Sequence, residues 1–511
     1  MKGAPRTAAT PAGGYDAVPY PSAVAPAAEL RRLQTMAWLL GMQPAAPSNA
    51  RVLELGCGTG ANLLPLALEF PAATIVACDL AATAIADAKD MAAALGIANL
   101  ELHHTDLRAV DERWGTFDYI VCHDVFSWVA PATRRRILEI QAHHLAPQGV
   151  AFLSHDALPG WHLHDVARDM MRHHTQRPEG AQETVARARA MLAMAAQVQD
   201  QADTAYASLI RDEYRLMSSI PDEQLYHVIT SDHHRAYSFD EFVQELQGAK
   251  LQWLGDAGRP FAERTLPQDI QALLRQMPPL QREPYIDFVS NCAFRRALVC
   301  RADAQPRPRP EAGALRGLWI ALSGAARLAP GGASDSDQSD ETEMAGGVCL
   351  RTSRGTLRTH DAAIVEALWR LDGLRPQGLP FLQLFAHGHA AACEFMLDAF
   401  SLGAVECVRT PFMLTNVITE YPTTSTLARL QAQRGGLLSN QRGEPVTLTE
   451  LQRFVVQRLD GRHDHRALGA EVAEWLDAHA TLLGLIDRGK GAAALTQECL
   501  RHARDHALLI A

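Results

Sequence analysis

Five short apolar runs, separated by stretches of helical spacing, constrain the fold of this chain more than any other feature. They are RVLEL (from Arg51), TIVACDL (from Thr74), NLELHHTD (from Asn99), FDYIVCHDV (from Phe117) and GVAFLSH (from Gly149). Stretches such as ATAIADAKDMAAALG and RRRILEIQAHHL lie between them. Apolar strands at this spacing, alternating with helices, predict a parallel sheet covered on both faces. Such a sheet binds its ligand at the carboxyl ends of the strands. A helix with Leu33, Met36, Trp38, Leu39 and Leu40 leads into the first strand, preceded by an extended arm containing YDAVPYPS.

The first strand runs into a glycine turn, GCGTG, and then into a helix. Backbone N–H groups in such a turn can meet a ligand closely. Two templates compete for it. The dinucleotide fingerprint G-x-G-x-x-G/A is met by Gly56, Gly58 and Ala61, with Asp79 about 20 residues on. The pattern E-x-G-x-G-x-G is met in full by Glu54, Gly56, Gly58 and Gly60. There the acid can help neutralise the ammonium of a methionine moiety, which points to S-adenosylmethionine (SAM). Asp79 would take both ribose hydroxyls, and Asp106, ending strand three, would accept the adenine amine. The loop CHDVFSWV after strand four brings aromatic faces to the place of the sulfonium, which suits a cation and not a pyrophosphate. The expected cofactor contacts are Glu54, Gly56, Gly58, Gly60, Asn62, Asp79, Leu80, Asp106, Leu107 and His123.

The order of Glu54, the three glycines, Asp79 and Asp106 resembles the class I SAM-dependent methyltransferases. The stretches YDAVPYPS, VLELGCGTGANLLPLA, HDVFSWV, LAPQGVAFLSHDALPGWH and RDMMRHH resemble one branch of them, bacterial methyltransferases that carry a methyltransferase regulatory domain. The likeness continues through YSFDEFVQELQGAKLQWLGDA and EPYIDFVSNCAFRRALV into STLARLQAQRGGLLSNQRGEPVTL and VVQRLDGRHDHRAL. It implies a homodimer with a SAM domain, helical dimerisation and middle domains, a C-terminal domain and an open central cavity. The branch includes rickettsial protein lysine methyltransferases acting on outer-membrane protein, so the implied acceptor is a protein lysine. The family's HGVYSWVP reads here with Asp124 in place of Gly, Phe126 in place of Tyr, and Ala130 before the proline. Its SYNTYPGWH has become SHDALPGWH, Ser154–His162. The cofactor half is kept and the acceptor half has changed. A small-molecule amine or hydroxyl acceptor, and a SAM-binding regulatory protein with a decayed acceptor site, therefore stay open.

Methyl transfer from a sulfonium is an in-line displacement that needs a positioned, unprotonated acceptor. Candidates for the acceptor walls are Tyr15, Tyr20, Phe126, Trp128 and Trp161, each of which would also suit a packed core. The polar candidates are His123, Asp124, His155 and Asp156. We take Asp156, His123, Trp128 and Tyr20 as the expected catalytic residues, Asp156 to orient or deprotonate an acceptor. Asp165, Asp169 and His173 share a helix face in WHLHDVARDMMRHH, but methyl transfer of this class needs no metal and none is expected.

The expected organisation is an arm and helix over 1–43, a Rossmann-like SAM-binding domain over 44–162, an α-rich dimerisation and regulatory region over 163–302, a Pro-rich and acidic linker over 303–347, and a separate, mostly helical, winged-helix-like domain over 348–511. Arg453, Arg458, Arg462 and Arg466 crowd one stretch of that last domain without interleaved aromatics or lysines, which argues for a protein-binding or cavity-closing module and against nucleic acid. The net charge of −10 points the same way. Nine cysteines without a Cys-x-x-Cys pair argue against a disulfide framework and a zinc knuckle. No apolar run reaches the length of a membrane span and the N-terminus has no hydrophobic signal region, so a cytoplasmic protein is expected.

Overall fold

The computed structural model describes residues 13–176, 180–330, 347–386, 389–479 and 491–510. The five expected strands form β1 (Arg51–Leu55), β2 (Thr74–Asp79), β3 (Leu100–His104), β4 (Phe117–Cys122) and β5 (Leu145–Asp156). Two further strands, β6 (Leu251–Asp256) and β7 (Phe294–Arg301), come from the stretch expected to be α-rich and join the same sheet. The strand order is β3-β2-β1-β4-β5-β7-β6, parallel from β3 through β5, with β7 antiparallel to both its neighbours. Glu54 of β1 sits beside Ala77 of β2 and Val121 of β4. The strand order reverses there, which opens a crevice at the carboxyl ends of β1 and β4.

Side-chain alternation sorts the sheet into two apolar faces. Val52, Ile75, Tyr119, Val121, Phe152 and Leu298 pack towards Leu33 and Met36 of the helix Leu30–Leu39 and Ala67 of the helix Leu63–Glu69. Leu53, Val76, Ile120, Leu153 and Val299 face Ile137 and Ile140 of the helix Pro131–His144, with Phe242 and Leu246 of the helix Phe239–Gly248. Each fully buried large apolar side chain contributes roughly 1.5–3 kcal/mol. Glu29 caps the first of these helices, accepting from the N–H groups of Arg31 and Arg32. Ser238 and Glu241 form a reciprocal cap on the helix Phe239–Gly248.

β7 was hidden in the sequence because it carries a charge into the core. Arg295 is 1% exposed and pairs with Glu283 and Asp287 of the helix Pro279–Ser290, both at 2.9 Å. Paired and hydrogen-bonded, the guanidinium can be buried. The alternation of FRRALVCR is thereby masked.

Helices Trp161–His174, Ala181–Val198, Ala205–Ser219 and Asp222–Thr230 pack around Ala167, Met171, Val185, Leu192, Met217, Leu225 and Ile229. Arg168 and Arg172 reach across to the carbonyls of Val228, Ile229 and Ser231, satisfying the last carbonyls of the helix Asp222–Thr230.

The stretch expected to begin a linker at 303 is structured up to 330. Trp319–Leu322 pairs with Leu379–Pro380 and Val405–Val408, and Arg327–Pro330 pairs with Val348–Thr352. The C-terminal half thus begins before the acidic segment rather than after it. Proline composition misled here, because the run AQPRPRPEAGAL leads directly into a short helix at Ala312–Gly317 and the strand Trp319–Leu322. The acidic run 331–346 lies outside the described residues, as do residues 1–12 of the arm. Farther on, helices Thr426–Arg434, Glu450–Arg458, His465–Ala478 and Ala492–Asp505 share a core with the pair Leu438–Ser439 and Pro445–Val446. All nine cysteines are free and buried.

Candidate active site

The glycine turn leaves β1 with three left-handed residues: φ is 76° at Gly56, 52° at Gly58 and 77° at Gly60. Its N–H groups are turned inward, contrary to the expectation that they meet a ligand. Those of Gly56 and Cys57 donate to the Cys78 carbonyl, that of Gly58 to Asp79 Oδ2 at 2.8 Å, that of Thr59 to Ser22 Oγ, and that of Gly60 to the Cys57 carbonyl. A pyrophosphate, which binds through such donors, finds none free from 56 to 60. The dinucleotide reading loses its physical basis.

The residues suit SAM instead. A Cβ at Gly56 would lie 2.5 Å from Val125 Cγ2, and one at Gly58 2.4 Å from Ser22 Oγ, so the cradle admits only glycine. Asp79 accepts one N–H on each oxygen, from Gly58 and Ala81, and retains lone pairs for hydroxyls. Leu80 beside it is 39% exposed, an open apolar face. Glu54 is 2% exposed; Asn62 Nδ2 donates to its Oε1 at 2.7 Å, and its Oε2 is buried without a partner. Burial pushes its pKa up to about 8. An orphaned buried carboxyl oxygen calls for a cationic partner such as an ammonium. Asn62 Oδ1 accepts the Ala25 N–H at 2.7 Å, so this side chain ties the arm to Glu54. Glu54 and Asn62 also line a cavity of about 300 Å³ that runs to Phe412 and Leu427; neither Asp79 nor Asp124 lines it.

Two of the cofactor candidates sit differently from expectation. Asp106 caps a short turn and pairs bidentately with Arg108, its Oδ2 2.6 Å from the guanidinium, which holds its carboxyl below the usual range. Leu107 packs against the core.

On the acceptor side, Ser154 organises the end of β4. It accepts the Asp124 N–H at 2.7 Å, and its hydroxyl lies 3.0 Å from His123 Nδ1. Burial keeps His123 neutral. The Tyr20 hydroxyl donates to Asp124 Oδ2 at 2.6 Å, and Tyr15 stacks on His227 at 4.4 Å. His227 Nε2 donates to the Val18 carbonyl at 2.7 Å. The arm is therefore fastened to the turn, to β4 and to the helix Asp222–Thr230. Burial, with Asp124 nearby, raises Tyr15 to about 12 and lifts Tyr20 as well.

A second group lies at the end of β5. Asp156 Oδ2 meets His234 Nε2 at 3.0 Å, with the side chains 3% and 5% exposed. The His234 ring lies 4.5 Å from both Trp128 and Trp161. Burial raises the Asp156 carboxyl and lowers the His234 imidazole to about 3, both shifts favouring the uncharged forms. Arg134, Arg168 and Arg172 grip the loop that delivers His234 through the carbonyls of His233 and Ser231.

The structure thus brings together Tyr15, Tyr20, His123, Asp124, Trp128, Asp156 and Trp161. It removes Phe126 and His155 to the core. Phe126 is 0% exposed against Tyr237 and Phe242, and the His155 ring packs tilted against Phe242 at 4.1 Å. Strand alternation is the reason: His155 and Asp156 must point to opposite faces. His227 and His234 escaped sequence reasoning, since they lie some 70 residues beyond the strands they serve. Asp165, once a metal candidate, accepts the Trp161 Nε1–H at 3.0 Å. Among the described residues no group of three or more His, Cys, Asp or Glu is placed to hold a metal.

Comparison with known proteins agrees with this geometry. Residues 52–149 match the family described as "Methyltransferase domain", and residues 221–301 the "Predicted methyltransferase regulatory domain". Residues 420–509 match the "PKMT, C-terminal winged helix domain". The chain belongs to the class I SAM-dependent methyltransferases. Within that class it sits beside two uncharacterized proteins of Rickettsia prowazekii, strain Madrid E. It is 32% identical to RP028 over 233 residues, 46% of this chain and 93% of that protein, and 32% identical to RP789 over 291 residues, 57% of this chain. The match spans about half the length of RP789 (53%). In fold it resembles PKMT2 from Rickettsia typhi, solved in complex with AdoHcy, with a TM-score of 0.81, 24% identity, and coverage of 96% of this chain and 100% of that one.

Proposed function

We propose that this chain transfers the methyl group of SAM to the side-chain amine of a protein lysine. The observation that carries the reading is the walled end of the crevice, where half-buried Tyr15 and Tyr20 from the arm pack on His227, Tyr20 bonds Asp124, and Trp128 and Trp161 flank the buried Asp156–His234 pair. Aromatic walls admit a narrow alkyl chain and strip water from its amine. Desolvation disfavours the ammonium form and so favours loss of its proton to solvent before attack. The bound cofactor supplies an electrophilic methyl on a sulfonium; the amine nitrogen gains the carbon as the sulfur–carbon bond breaks. Asp156 is too buried and too firmly engaged with His234 to serve as the base. It positions His234 and, through it, the two tryptophans. His123, neutral and held by Ser154, closes the floor.

The likeness to PKMT2 and to the PKMT winged-helix family supports a protein acceptor. We also infer a cytoplasmic homodimer. Exposed Met194, Val198, Tyr206 and Leu216 on the helices Ala181–Val198 and Ala205–Ser219 supply an apolar face for a second copy. Among the described residues no helix is long and apolar enough to cross a membrane.

The test uses purified protein, methyl-labelled SAM and a bacterial lysate. Acid-precipitable label that protease releases, and that hydrolysis yields as methyl-lysine, is the expected result. Label confined to a soluble small molecule overturns the protein acceptor. Binding of SAM with no transfer to any fraction favours a regulatory SAM-binding protein.

A further inference from the structure

The end of β4 carries an aspartate where the backbone favours glycine. Asp124 has φ 56°, and its main chain is pinned there by the bond from its N–H to Ser154 Oγ. A side chain in this conformation is strained, and this one does not use its carboxylate to relieve the strain. Oδ2 accepts the Tyr20 hydroxyl at 2.6 Å. Oδ1 accepts no hydrogen bond from any described residue, and no described Lys, Arg or His forms an ion pair with the carboxylate. Tyr15, Tyr20, Asp156 and His123 lie close enough to feel its charge, and His123 also feels Arg296. Asp124 is thus a half-buried, uncompensated carboxylate that shares the crevice mouth with the arm's aromatic rings.

We infer that Asp124 binds the acceptor's protonated amine as it arrives and so selects cationic acceptors over neutral ones, with Tyr20 as the positioning residue that aims its carboxylate. The inference rests on the methyl-transfer reading above. An alkylammonium brings three N–H donors, and Oδ1 offers a charged acceptor within reach of aromatic faces that also favour a cation. A hydroxyl acceptor gains little from a carboxylate whose charge it cannot balance. The negative charge also offsets the repulsion that an ammonium would meet beside a sulfonium. Only binding and selection are assigned to Asp124; the proton leaves to solvent as the amine moves between the aromatic walls.

The probes are n-butylammonium and n-butanol, titrated onto the full chain loaded with AdoHcy and followed by saturation-transfer NMR. The wild-type chain should favour n-butylammonium at least tenfold. Asp124→Asn and Asp124→Gly should bring the ratio near one, and Tyr20→Phe should give an intermediate ratio, all with AdoHcy affinity unchanged. Glycine accommodates φ 56°, so Asp124→Gly should melt no lower than wild type, and a lost preference cannot be blamed on misfolding. A wild-type ratio near one, or a ratio preserved in Asp124→Asn, overturns the inference. Labelling of lysate proteins is measured alongside. Lysine labelling undisturbed by Asp124→Asn removes the inference and leaves the proposed function standing. An Asp124-dependent ratio with no protein labelled removes the protein acceptor and leaves the inference standing.

Discussion

Replacing Glu54 by glutamine tests whether cofactor binding expels a proton. Burial raises the Glu54 carboxyl from 4.5 to about 8, and its Oε2 has no partner. Without cofactor, roughly nine in ten copies are then protonated at pH 7. An ammonium placed at that oxygen favours the carboxylate, so binding SAM should release about 0.9 proton at pH 7 and about half a proton at pH 8. By linkage the affinity rises with pH, up to roughly tenfold per pH unit below pH 8, and levels off above it. Isothermal titration calorimetry in two buffers of different ionisation enthalpy counts the proton directly. Glu54→Gln keeps the shape and the hydrogen bond from Asn62, and should show no release and a flat pH profile. A wild-type release near zero at pH 7, or the same release from the glutamine variant, refutes the reasoning. Glu54 also sets a sign on stability. From about pH 4.5 to about 8 the folded chain holds a proton that the unfolded chain has lost, so stability is greatest below that window and falls as pH rises through it. The ceiling on that loss is on the order of 5 kcal/mol, and denaturant melts of Glu54→Gln should lack the slope.

Three further outcomes follow from described contacts. Asp79→Ala removes the acceptor for the Gly58 and Ala81 N–H groups together with the proposed ribose contact, and should abolish SAM binding; unchanged affinity by calorimetry would sink the assignment of β2. Gly58→Ala places a methyl 2.4 Å from Ser22 Oγ in a left-handed conformation that costs roughly 1–2 kcal/mol. It should loosen the arm, seen as faster proteolysis near residue 20, and weaken SAM binding at least tenfold. Arg295→Met leaves the Glu283 carboxyl buried without its cation and Asp287 with Arg259 alone, and should destabilise the fold by about 3–5 kcal/mol in denaturant melts. A loss under 1 kcal/mol there would mean that the buried carboxylates relax by taking up protons.

The parallel core of the sheet was legible because β-branched runs and the glycine turn are local signals. Glu54, the glycines and Asp79 fall on it at fixed offsets, so the strand, turn and helix that carry them could be read from spacing. The acceptor half could not. His227 and His234 reach the crevice from helices and a loop whose own pattern says only "helix, break, helix". Their placement depends on Arg134, Arg168 and Arg172 gripping carbonyls, which leaves no periodic trace. Phe126 and His155 misled in the opposite way: they stand near Asp124, Trp128 and Asp156 in the chain but lie on the buried side of a turn and a strand. β6 and β7 were missed because a buried ion pair looks, in sequence, like an exposed charge.

The position of β7 also bears on how the chain is made. β5 pairs along Ala151–Asp156 with Val299–Phe294 of β7, so the strand that ends in the acceptor wall has its outer partner more than a hundred residues downstream. During synthesis β5 must stand as an open edge, a run of apolar residues with unpaired backbone groups, until residue 301 has left the ribosome. The helical bundle between them can fold meanwhile on local contacts, but the sheet cannot close without paying the entropy of that long loop. A chain truncated after residue 162 would keep that edge permanently exposed and should aggregate rather than yield a free-standing SAM-binding module.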